Sequence, residues 1–131
     1  MSNEQLIAQL RKAREFEVTV GHITFYGECP TYSKLMRIIN STEDDSADAV
    51  MAFKAVKNWI GVTEADIVAG GDPTKELEFD QKLFQEVLFD RADWWKPISM
   101  EITKSVMARQ MQKESEIKNL SAGTITKPLS E

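Results

Sequence analysis

Apolar positions near the start of the chain follow first a helical period and then a strand period. Leu6, Leu10 and Ala13 recur at helical spacing behind Ser2 and Gln5, which have the form of a capping box. The pattern predicts a short amphipathic helix over residues 3–14.

From residue 16 the period changes to strict alternation. Phe16, Val18 and Val20 alternate with polar residues, Gly21-His22 can make a two-residue turn, and residues 23–26 run back. Pairing through that turn sets Val20 opposite Ile23 and Val18 opposite Phe25. We therefore predict a β-hairpin over about residues 16–26.

Helical spacing returns in the middle of the chain. Four helices are predicted there, at about residues 30–40, 48–60, 63–70 and 73–89. Their apolar stripes comprise Tyr32, Leu35, Met36 and Ile39 in the first, Ala49, Ala52, Phe53, Val56 and Ile60 in the second, and Leu83, Phe84, Val87 and Leu88 in the fourth. The polar run 40–46 between the first two predicts a mobile loop.

A last helix is predicted from about Pro97 to Leu120, because proline is best tolerated in a first turn. Residues 90–96 would then form a corner before it. One stripe of this helix is predicted to be core, and it comprises Trp95, Ile98, Ile102 and Val106. Met100, Met107 and Met111 lie nearly opposite this stripe, where they could fill core gaps or form an interface, and the polar residues that take over the core stripe beyond Val106 favour the interface. Trp94 cannot share a helix face with the adjacent Trp95, so it and these three methionines are the residues predicted to bind protein.

The predicted fold class is mainly α, with a single compact helical domain and one small β-hairpin near the N-terminus. Residues 1–120 form this domain. Residues 121–131 have no period, so we expect a flexible tail that is dispensable for folding.

Charge narrows the classes of partner. The net charge of −5 argues against nucleic acid, whose phosphates need clustered lysine and arginine. Residues 40–90 carry 4 basic and 12 acidic side chains, a balance of −8, whereas both ends are slightly positive. This asymmetry favours head-to-tail self-association, although a merely solvated acidic surface is the alternative.

Little in the sequence indicates chemistry. The single histidine, His22, lies in the predicted turn, and the single cysteine, Cys29, cannot close an internal disulfide, which favours a reducing cytosol. The acidic run 43–48 lacks the spacing of a calcium loop, and Gly70-Gly71 lacks the partners of a phosphate loop. Asp90 and Asp93 fit helix-end roles. We predict no catalytic, cofactor or metal site, no membrane span and no secretory signal.

Residues 83–98 resemble a known family. An amphipathic helix runs into Asp90-Arg91-Ala92-Asp93, then the pair Trp94-Trp95, then Pro97. This segment is similar to the tail assembly chaperones of long, non-contractile-tailed bacteriophages, and the likeness covers about residues 79–106, with a weaker match over the hairpin and second helix.

The resemblance implies a non-enzymatic helical protein of the host cell cytoplasm that is absent from the mature virion. It implies self-association and coating of the tape measure protein until tail tube protein displaces the chaperone. It also implies a longer form, made by programmed frameshifting, that recruits tail tube protein. Two alternatives remain: a small acidic helical adaptor, antitoxin-like or regulatory, and a metal-dependent enzyme that uses the carboxylates of residues 43–48.

Overall fold

The computed structural model describes residues 1–41 and 46–129, with side chains up to residue 119. It contains six helices and three strands within these residues. In chain order they are α1 Asn3–Ala13, β1 Glu15–Val20, β2 Ile23–Glu28, α2 Tyr32–Ser41, α3 Ala47–Ala55, β3 Val56–Ile60, α4 Glu64–Ile67, α5 Gln81–Leu88 and α6 Ala92–Leu129.

The capping box and the hairpin register are confirmed. The Gln5 backbone N–H donates to the Ser2 hydroxyl at 3.2 Å, and the Ser2 N–H donates to the Gln5 side chain at 2.9 Å. Strands β1 and β2 pair antiparallel, with Val18 opposite Phe25. Gly21 has φ of 62° at the first turn position, where a tight hairpin turn needs a residue free of Cβ strain.

The predicted fold class is wrong because the sheet has a third strand. Strand β3 pairs antiparallel with β2, giving the order β1-β2-β3, so the sheet is more than an N-terminal hairpin. The sequence pattern predicts that residues 56–60 continue the second central helix. That helix, α3, ends at Ala55 instead, although helices make up 61% of the chain.

The apolar spacing of residues 49–60 fits a helix and a helix-to-strand junction equally well. Val56 and Trp59 are buried in the core, while Lys57 and Asn58 are exposed to solvent. Gly27 of β2 allows the junction, since a Cβ there would collide with the Ala55 carbonyl oxygen. The pairing register shifts at this close approach, because Lys57 of β3 is an extra residue between the partners of Tyr26 and Gly27.

Two other central helices differ from their predictions. In α2 the buried residues are Leu35 and Ile38, while Tyr32 and Ile39 of the predicted stripe are exposed. The fourth helix begins at residue 81 instead of 73, and its cap is Asp80, which accepts the Lys82 N–H. The predicted mobile loop 40–46 falls mostly on residues 42–45, which lie outside the described residues.

The last helix is longer than predicted at both ends. It begins at Ala92, because the Arg91 carbonyl accepts the backbone N–H of Trp94 and Trp95. Pro97 therefore lies in the second turn, and the carbonyl that loses its partner belongs to exposed Asp93, where water can replace the bond. The structure continues α6 through Leu129, where the sequence predicts a flexible tail from residue 121.

The core lies between one face of the sheet and helices α2, α3, α5 and α6. Its centre is Phe84 of α5, whose ring packs within about 6 Å, centroid to centroid, of rings from β2, β3, α3 and the segment before α5. The partner rings are Phe25, Phe53, Trp59 and Phe79. The Trp59 indole N–H donates to the Leu77 carbonyl at 2.9 Å, which fixes residues 72–80 against β3.

Candidate functional site

One of the four residues predicted to bind protein is a core residue. Trp94 is 1% exposed and packs against Phe25 and Trp59, and the Arg91 guanidinium lies 4.4 Å from its ring. Trp95, the predicted core residue, is only partly buried. The prediction interchanges the two because Trp94 lies four residues and Trp95 three residues before Ile98, and both spacings fit one helix face.

The three methionines differ in how far their side chains are exposed. Met100 and Met111 are 72% and 68% exposed. Met107 is partly buried and packs against the core. Further along the same helix Ile117 is exposed too. We call the part of α6 that follows Met107 outer α6. Its large apolar side chains Met111 and Ile117 are not covered by any other described element.

Helix α1 presents a second apolar face, on the side of the predicted stripe that contains Leu6 and Leu10. Leu6, Ile7 and Leu10 are each close to half exposed, and no residue of α1 is buried. An amphipathic helix in a folded domain normally covers its apolar stripe. The periodicity predicts such a stripe, but it cannot indicate whether the stripe meets the core or a partner.

Polar side chains tie the hairpin turn to α4 and to the start of α6. His22 Nε2 lies 2.9 Å from Asp66 Oδ2, and Arg91 donates to the Asp66 backbone carbonyl at 2.8 Å. Burial acts to raise the pKa of the Asp66 carboxyl, but hydrogen bonds from His22 and Thr63 outweigh it, so that pKa lies below its ordinary value of 3.8. The arrangement offers no nucleophile beside a base, and it joins three elements.

A basic cleft lies on the side of the molecule where α2 begins and α3 ends. It is a cavity of about 340 Å3 above the buried Cys29. Five cationic side chains line it, with Glu28 as the one acid among the described lining residues. They are Arg14, Lys34, Arg37, Lys54 and Lys57.

A second cavity of about 350 Å3 extends the basic cleft along α6. It shares Arg14 and Thr31 with the first and adds Arg109 and Lys113. Seven of the chain's 16 lysine and arginine residues therefore line two adjoining cavities. Counting charge by segment misses this cluster, because its members come from four separate stretches of the chain and meet only in the fold.

The other sites considered from the sequence are a metal site, a membrane span, the acidic run 43–48 and Cys29. Among the described residues no group of three or more histidine, cysteine and acidic side chains could hold a metal ion, and no described helix is long and apolar enough to cross a bilayer. Residues 43–45 of the acidic run 43–48 lie outside the described residues. Burial raises the pKa of the Cys29 thiol, which disfavours the reactive thiolate.

Comparison with known proteins does not assign a family. No family model, curated protein or solved structure matches the chain. The candidate surfaces are therefore the two exposed apolar helix faces and the basic cleft.

Proposed function

We propose that this chain is a phage tail assembly chaperone, a protein without catalytic activity that binds the tape measure protein in the host cytoplasm. The observation that carries the proposal is the uncovered apolar face of α1, formed by Leu6, Ile7 and Leu10. Large apolar side chains that no described part of the same fold covers are typical of protein-binding surfaces.

Helix α6 supports the same proposal. Its outer part adds Met111 and Ile117, which are well exposed and lie less than two turns apart. Methionine suits a surface that binds many similar segments of a long client, because its flexible side chain adapts to different neighbours. A long helical client presents such repeated apolar segments.

The resemblance of residues 83–98 supplies the identity of the client. Within those residues Trp94 and Phe84 are buried and Arg91 is held by Asp93 and by the Asp66 carbonyl. The shared corner is thus structural, and we place client binding on α1 and outer α6 instead. Self-association, recruitment of tail tube protein by a longer form and absence from the mature virion belong to the same proposal.

The test is co-expression with a candidate tape measure protein, the client that the resemblance implies. We expect the client to stay in the soluble fraction and to co-purify with the wild-type chain. Leu10→Asp should reduce the captured client, whereas Gln9→Asp should not. The two variants place the same charge on adjacent exposed positions of one helix, so they differ only in the apolar side chain removed.

Equal capture by both variants would show that α1 does not bind the client. A client that is equally insoluble with and without this chain would contradict the chaperone assignment itself.

A further inference from the structure

The basic cleft is unusual in an acidic protein. The chain is at −5 overall, so the surface outside the cleft is more negative still. None of the five cations around the first cavity forms an ion pair with a side chain in the described part of the molecule. Glu28 lines the same cavity without reaching any of them at ion-pair distance.

Local backbone geometry adds to the positive potential. Helix α2 begins at Tyr32, so its N-terminal end, with Thr31 and Lys34, borders the first cavity. The nearby C-terminal end of α3 has the opposite dipole, but the Lys57 ammonium donates to the Lys54 carbonyl at 3.1 Å and offsets it. Like charges around one cavity repel one another, and a bound anion would reduce that repulsion.

The form of the basic cleft indicates an extended anion. One compact dianion can engage two or three cations. Here seven cations line two cavities that share Arg14, and the second cavity extends as far as Lys113. Nucleic acid fits poorly, because Tyr32 is the one aromatic side chain among the described lining residues and single-stranded binding needs several stacking platforms. A longer polyanion would also meet the acidic surface beyond the cleft.

We propose that the basic cleft binds a short carboxylate-rich segment of the client protein. This inference rests on the proposed function and adds a second, polar contact to the apolar faces of α1 and α6. The apolar faces would hold the client nonspecifically, and the basic cleft would select positions where its helix surface or a connecting segment carries clustered aspartate and glutamate.

The test measures binding of a labelled octaglutamate peptide to the full chain. Fluorescence anisotropy reports the binding at low and at physiological salt. We expect binding that weakens steeply with salt. The double variant Lys34→Gln, Arg37→Gln should weaken it by about fivefold to tenfold, as expected for two lost exposed charge contacts. The control, Lys82→Gln with Lys104→Gln, removes the same charge from exposed positions outside the basic cleft and should bind almost as the wild type.

Three results would overturn the inference. They are equal weakening by both double variants, no binding of octaglutamate at low salt, and displacement of the peptide by inorganic pyrophosphate at ionic strengths where sodium chloride does not displace it. The last would assign the basic cleft to a phosphate ligand.

The inference and the proposed function fail separately. A chain that captures its client through α1 but does not bind octaglutamate loses only the basic cleft. A chain that binds octaglutamate at the cleft but keeps no client soluble loses the chaperone function.

Discussion

The indole ring of Trp94 and the phenyl ring of Phe25 lie 5.2 Å apart, centroid to centroid, at a tilt of 58°. Both side chains are buried, and the contact joins the first turn of α6 to the middle strand of the sheet. The segment that resembles the chaperone family is therefore anchored to the strand pairing that the sequence only partly predicts.

Replacing Trp94 should destabilise the fold. We expect Trp94→Ala to lower the free energy of unfolding by about 3 to 5 kcal/mol, since it removes a large buried ring and leaves a cavity. Trp95→Ala should cost much less because that ring is partly exposed. Chemical denaturation of both variants checks the order, and an equal loss would indicate that the two indoles share the core.

Substitutions of the α6 methionines should lower the free energy of unfolding more where the side chain is more deeply buried. Met111→Asp should change the free energy of unfolding by less than about 1 kcal/mol, because its side chain is mostly in solvent. Met107→Asp should cost about 2 kcal/mol or more, since a carboxylate would replace an apolar group packed on the core. Thermal melting measures both. If Met111→Asp melts as early as Met107→Asp, outer α6 is not a free surface.

Acid should weaken the link between the hairpin turn and α4. The pKa of Asp66 is lowered in the fold, so its contribution to stability is complete above its ordinary value of 3.8 and is lost as pH falls through the lowered value. Asp66→Asn should reduce stability at neutral pH and flatten its decline below about pH 4. Denaturation midpoints across this range test the prediction, and an unchanged acid limb would contradict it.

Substitution of Gly27 tests whether residues 56–60 form the third strand of the sheet. Gly27→Ala should cost about 2 to 3 kcal/mol, because the new Cβ meets the Ala55 carbonyl where α3 passes into β3. Gly21→Ala should cost only about 1 kcal/mol, since its turn is open and only the positive φ is strained. If residues 56–60 continued a helix away from β2, the Gly27 variant would be no worse than the Gly21 variant.

The local signals of the chain predict its local structure well. The Ser2 capping box and the register of the hairpin are confirmed because each depends on residues within a few positions of one another. The third strand depends on a contact between Gly27 and Ala55, which periodicity cannot detect. Helical spacing in residues 49–60 therefore leads to the wrong fold class.

The candidate surfaces are predictable only in part. Met100 and Met111 are exposed, in agreement with the sequence-based choice, which remains a prediction as to binding. Trp94, which belongs to the same choice, is buried. The spacing of apolar residues shows which face of a helix is apolar. It does not show whether the core, a partner or solvent lies against that face. The basic cleft needs the fold itself, since Arg14 and Lys57 are far apart in sequence and line one cavity.

Amide hydrogen exchange of the chain, alone and with the tape measure protein, tests the central claim most directly. Free α1 has no buried residue, so its amides should exchange fast. Binding should slow exchange in α1 and in α6 around Met111, while β2 and α5 stay as slow as before. Unchanged exchange in both helices at saturating client would contradict the account.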